Sequence, residues 1–120
     1  MDIILRCCCF NKKECIIKRI QNILIWQNVL YLENSINNIQ VIQIYDKEYK
    51  MKAIIYFVKK QNTFEVIITD YFNIDFLKIY KNIYYDIHGV IKNDIEYKTL
   101  IYEGKTDSYI YSEIMNFIYK

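Results

Sequence analysis

Two apolar runs joined by a short polar connector constrain this chain more than any other feature. Within Met51–Asp70 (MKAIIYFVKKQNTFEVIITD), Ala53–Val58 and Phe64–Ile68 flank Lys59-Lys60-Gln61-Asn62. Both runs are rich in β-branched and aromatic side chains, which pack well on a pleated surface, and the connector supplies the turn. The segment reads as a β-hairpin. The usual punctuation is scarce around it: among 120 residues there are 2 glycines and no proline. Asn and Asp must then make the turns, because their short polar side chains bond the backbone locally. Abundant Ile, Asn, Lys and Tyr beside scarce Gly, Pro and Ala follow a codon bias toward A/T. The 13 tyrosines are therefore read as core and cross-strand residues with a polar tip, not as a base-stacking surface.

The rest of the chain falls into place on either side. Asp2–Phe10 alternates as a strand. Asn11-Lys12-Lys13-Glu14 has the form of a capping box, in which Asn11 and Glu14 satisfy each other's backbone amides. Ile16, Ile17, Ile20, Ile23 and Leu24 then recur at helical spacing, so a helix is expected from Lys12 to about Leu24. A strand is expected to open at Asn28, where Val29, Tyr31 and Glu33 alternate with Leu30 and Leu32, and Asn34–Asn38 is the next turn. Ile39–Tyr45 alternates as a strand, and Asp46–Tyr49 turns the chain into the hairpin. After the hairpin, Asn73 caps a helix whose stripe is Ile74, Leu77, Tyr80, Ile83 or Tyr84, and Ile87, stopping at His88-Gly89. Ile95–Glu103 is a further strand ended by Gly104. Asp107 or Thr106 caps a last helix, Ser108–Tyr119, with Ile110, Ile114, Phe117 and Ile118 facing inward and Lys120 suiting its dipole. The expected fold is α+β: a mainly antiparallel sheet of about five strands with two or three helices packed on it, in one domain spanning residues 1–120.

Composition excludes several classes of function. Hydrophobic residues at 53% and charged residues at 25% are a globular balance. A net charge of +2 is too mild to define a nucleic-acid surface. The apolar runs Ile23–Trp26 and Ile54–Val58 fall far short of the roughly 20 residues of a transmembrane segment. Asp2 and Arg6 interrupt the apolar start and no small-residue cleavage site follows, so a cytoplasmic or nuclear location is expected.

The most unusual run is Cys7-Cys8-Cys9, with Cys15 nearby. Adjacent strand residues point to opposite faces, and paired ligands at zinc spacing do not occur twice, so no metal is assigned. A disulfide framework does not suit an intracellular chain. Lipidation at Cys7, Cys8 or Cys9 competes, given Arg6, Lys12 and Lys13 beside them, but Asp2 stands where N-myristoylation needs a glycine. Three small hydrophobes in a partly buried strand is the preferred account.

No catalytic constellation emerges. His88, the sole histidine, suits a helix end, and no nucleophile signature accompanies the four cysteines. Ser35, Ser108 and Ser112 lie in no G-x-S-x-G elbow, and Gly89 and Gly104 cannot build a phosphate-binding loop. Glu65, Asp70 and Asp75 gather near the hairpin exit, where a solvated strand face and a helix first turn explain them better than acid/base chemistry does. Lys12, Lys13, Lys18, Arg19, Lys59 and Lys60 would form a basic patch if the first helix and the hairpin tip were neighbours. The preferred alternative is a solvated helix face and a charged tip that discourages edge pairing. Trp26, the sole tryptophan, is read as core, with an interface anchor second. No catalytic, cofactor-binding or metal-binding residue is assigned.

Residues Lys50–Asn82 resemble the head domains of the DNA end-joining scaffold proteins, in which a hairpin closes on Thr-Asp or Ser-Asp and leads into a helix. Here Thr63–Asp70 ends on Thr69-Asp70 and continues into Tyr71–Lys81, and Trp26–Glu33 followed by another strand matches the family's opening strands. Phe72 or Phe76 stands in place of the tryptophan that usually follows the Thr-Asp, and no coiled-coil stalk for dimerisation follows in these residues. The resemblance implies a non-catalytic scaffold that contacts partners through its head. The function expected from the whole sequence is a non-catalytic protein–protein interaction module, a small subunit or assembly factor that binds a protein partner or a second copy. The alternative is a nucleic-acid-associated module using the basic first helix and the Tyr-rich sheet, and a small cysteine-dependent enzyme comes third.

Overall fold

In the computed structural model of this chain, the described residues are 13–36, 39–59, 64–70, 97–102 and 104–119. They form helix α1 (Lys13–Trp26), strands β1 (Leu30–Ile36), β2 (Ile39–Tyr45), β3 (Met51–Lys59), β4 (Phe64–Thr69) and β5 (Tyr97–Leu100), and helix α2 (Asp107–Ile118). The strands make one sheet in sequence order, each antiparallel to its neighbour. The fold is α+β.

The hairpin is β3 and β4, in register from Ile54↔Thr69 to Lys59↔Phe64. It places β3 at the middle of the sheet, and Ala53, Ile54, Ile55, Tyr56 and Phe57 are all buried. A strand covered on both faces has no polar side to show, which is why this run is continuously apolar while β2 alternates. The main core lies on the helix side. There Ile42, Ile44, Ala53, Ile55, Phe57, Val66, Ile68 and Leu100 meet Ile16, Ile17, Ile20, Ile23 and Leu24 of α1 and Ile110, Ile114 and Phe117 of α2. A second buried cluster, Val41, Ile54, Tyr56 and Ile67, occupies the opposite face.

Several boundaries differ from the sequence reading, each for a local reason. Helix α1 runs to Trp26, two residues further than expected, so Trp26–Glu33 is not one strand. Asn28 adopts φ 56°, the left-handed position usually given to glycine. Its N–H donates to the Ile25 carbonyl at 3.1 Å, and Val29 N–H donates to the Leu24 carbonyl at 2.9 Å. That is a Schellman motif, with Val29 packing back on the core beside Leu24. Strand β1 continues to Ile36, where a turn was expected from Asn34, because Asn34, Ser35 and Ile36 stay in register with Val41, Gln40 and Ile39. Strand β5 is shorter than the expected Ile95–Glu103: Ile101 leaves the ladder exposed, and the Tyr102 carbonyl accepts from Lys105 N–H at 3.0 Å as the chain turns through Gly104. Thr106 caps α2, its hydroxyl accepting from Tyr109 N–H at 3.2 Å, and Ile118 is half-buried at the core's edge. The expected strand Asp2–Phe10 and the expected helix from Asn73 to His88-Gly89 lie outside the described residues.

Candidate functional site

The phase of α1 decides what its last turn presents. Its buried stripe is Ile16, Ile17, Ile20, Ile23 and Leu24. At about 100° per residue, Trp26 lies about 120° round the helix from Ile20, clear of that stripe and on the flank that also carries Arg19 two turns earlier. Trp26 is accordingly 84% exposed, which overturns its reading as a core residue, and Ile25 beside it is 55% exposed. Leu30 and Leu32 follow on β1, also exposed, so four large apolar side chains fall within residues 25–32.

Arg19 brings the start of α2 against this flank. Its Nε donates to Asp107 Oδ1 at 2.5 Å, one terminal N–H donates to the Lys105 carbonyl, and the other reaches the Tyr102 carbonyl at 3.5 Å. The guanidinium also sits 6.0 Å from the centre of the Tyr102 ring. The phenol of Tyr102 is buried without a hydrogen-bond partner among the described residues. Burial drives its pKa well above the ordinary tyrosine range, with the Arg19 charge pulling weakly the other way, so it stays neutral.

With the two helices held this way, a groove of about 270 Å³ opens between them. Asn22, Ile23, Trp26 and Gln27 line one side, and Asp107, Ser108 and Tyr111 line the other. The volume is just below the roughly 300 Å³ at which small-molecule pockets begin, and is closer to what one large side chain fills. The polar side chains lining it are the amides of Asn22 and Gln27, the hydroxyls of Ser108 and Tyr111, the indole of Trp26, and the Asp107 carboxylate, which is already committed to Arg19. Among the described residues, no histidine or lysine lines it beside Ser108.

The other candidates are scattered or lie elsewhere. Glu65 lies within β4, from Glu65 to Thr69 the strand spans roughly 13 Å, and Asp70 follows where the chain bends away. They cannot act on one bond together. Arg19 leaves the basic set by turning to Asp107, while Lys18 is exposed on α1 and Lys59 ends β3. Cys15, in the first turn of α1, is disulfide-bonded, against the expectation from compartment, and a sulfur so bonded is not a thiolate nucleophile. Ser35 and Ser112 are exposed. Cys7, Cys8, Cys9, Lys12, Lys60, Asp75 and His88 lie outside the described residues. Among the described residues no group of three His, Cys, Asp or Glu side chains could hold a metal ion, and no helix is long and apolar enough to cross a membrane.

Asn22, Gln27 and Tyr111 went unnoticed in the sequence. The helical phase of Trp26 was the available signal, once α1 is carried past Leu24. In comparisons with known proteins, no family model, no curated protein and no solved structure matches this chain. The reading of the site rests on its own geometry.

Proposed function

We propose that this chain is a non-catalytic protein–protein interaction module, a small subunit or assembly factor that docks through the end of α1. The observation that carries this reading is Trp26, 84% exposed at the lip of the α1–α2 groove. Covering a tryptophan removes on the order of 200 Å² from water, worth several kcal/mol before the costs of association. Tryptophan is also among the residues that most often dominate an interface. Ile25 adds apolar area next to it, and Asn22, Gln27 and Ser108 offer hydrogen bonds around it. The nucleic-acid alternative gains no comparable support, since the most constrained of the basic side chains, Arg19, is spent inside the fold.

The experiment compares wild-type chain, Trp26→Ala and an exposed-aromatic control, Tyr49→Ala, purified from the native cell with quantitative mass spectrometry. A stoichiometric partner, or a second copy, should accompany the wild type and the control and fall about tenfold or more with Trp26→Ala. Trp26 is the sole tryptophan, so its emission should shift to the blue when that partner is added back. A partner retained equally by all three chains, or a monomer recovered alone from every preparation, would overturn the reading.

A further inference from the structure

We draw no further inference here: the strongest candidate, the groove between the end of α1 and the start of α2 taken as a seat for a second copy of this chain, belongs to the site already described, and nothing in the structure shows what covers it.

Discussion

Tyr49 adopts φ 63° at the tip of the turn between β2 and β3, a conformation that costs a residue with a Cβ about 1–2 kcal/mol. Asp46 holds the turn in place. One of its carboxylate oxygens accepts from Glu48 N–H at 2.8 Å and from Lys50 N–H at 3.0 Å, while its carbonyl accepts from Tyr49 N–H at 3.1 Å. A glycine enters this region freely, and Tyr49 is 78% exposed with little packing to lose. Tyr49→Gly should therefore raise unfolding stability by about 1 kcal/mol in a denaturant titration, less whatever the unfolded chain gains in freedom. Asp46 gives a pH prediction. The amide of Lys50, then that of Glu48 and the charge of Lys52, hold its carboxyl below the ordinary value of 3.8, against some desolvation. The folded pKa is depressed, so the contribution to stability is complete above the unfolded value and is lost as pH falls through the folded one. Asp46→Asn should flatten this acid limb, and an NMR titration of the Asp46 carboxyl should show a midpoint below 3.8. The turn was legible in Asp46–Tyr49 as a run of polar residues. The left-handed tyrosine was not, because nothing in its side chain asks for that conformation.

Elements were legible in proportion to how strictly one face of each is buried. Strand β2 has the bounds that its alternation predicts, Ile39–Tyr45, since Ile42 and Ile44 enter the helix-side core and Val41 enters the opposite cluster. A slip of one residue would exchange those faces, which is what pins the register. The end of α1 was harder to read. Asn28 does the work of a glycine there, and the residues it closes, Ile25 and Trp26, are apolar but exposed. Helix α2 begins where a cap residue is available. Thr106 is extended at φ −78° and ψ 161°, its hydroxyl bonds the amide of Tyr109, and Asp107 adds a carboxylate at the positive end of the helix dipole. Thr106→Ala should cost about 1 kcal/mol in thermal or denaturant unfolding, and Thr106→Ser should restore most of it. The ion pair from Lys98 on β5 to Glu113 on α2 is partly exposed, so its removal should be felt much less than the cap's.

At the scale of the molecule, Arg19 joins elements that are distant in sequence: α1, the connector after β5, and the first turn of α2. Its side chain is 30% exposed and Asp107's is 63% exposed, so the ion pair itself contributes under about 1 kcal/mol. The bonds to the carbonyls of Lys105 and Tyr102 add to it, because a hydrogen bond from a charged donor is stronger than a neutral one. Arg19→Met should destabilise the fold by about 1–2 kcal/mol, and Asp107→Asn by less. A double-mutant cycle between them should return a coupling smaller than the full Arg19 effect. Trp26 is expected to behave in the opposite way. Trp26→Ala removes an exposed side chain and should leave unfolding stability within about 0.5 kcal/mol of wild type while lowering partner recovery about tenfold or more. That contrast separates a residue that holds the molecule together from one that serves contacts beyond it.

The amino-acid pattern by itself determined the class of fold and the faces of the sheet. Alternation in β2, the doubly apolar run in β3 and the helical spacing of the Ile16–Leu24 stripe each follow from burying side chains at a fixed period, and that period is local. It also contains neither a phosphate-loop nor a serine-elbow motif. Only the tertiary structure decided the fate of single residues at element ends. Whether Trp26 closes a helix or opens a strand depends on Asn28 taking a left-handed conformation. Whether its ring is covered depends on how closely Arg19 draws the start of α2 alongside. The first is closed by hydrogen bonds within a few residues, from Asn28 to Ile25 and from Val29 to Leu24, at a position no glycine marks. The second is settled by contacts between segments more than roughly 80 residues apart, and no local periodicity carries that information.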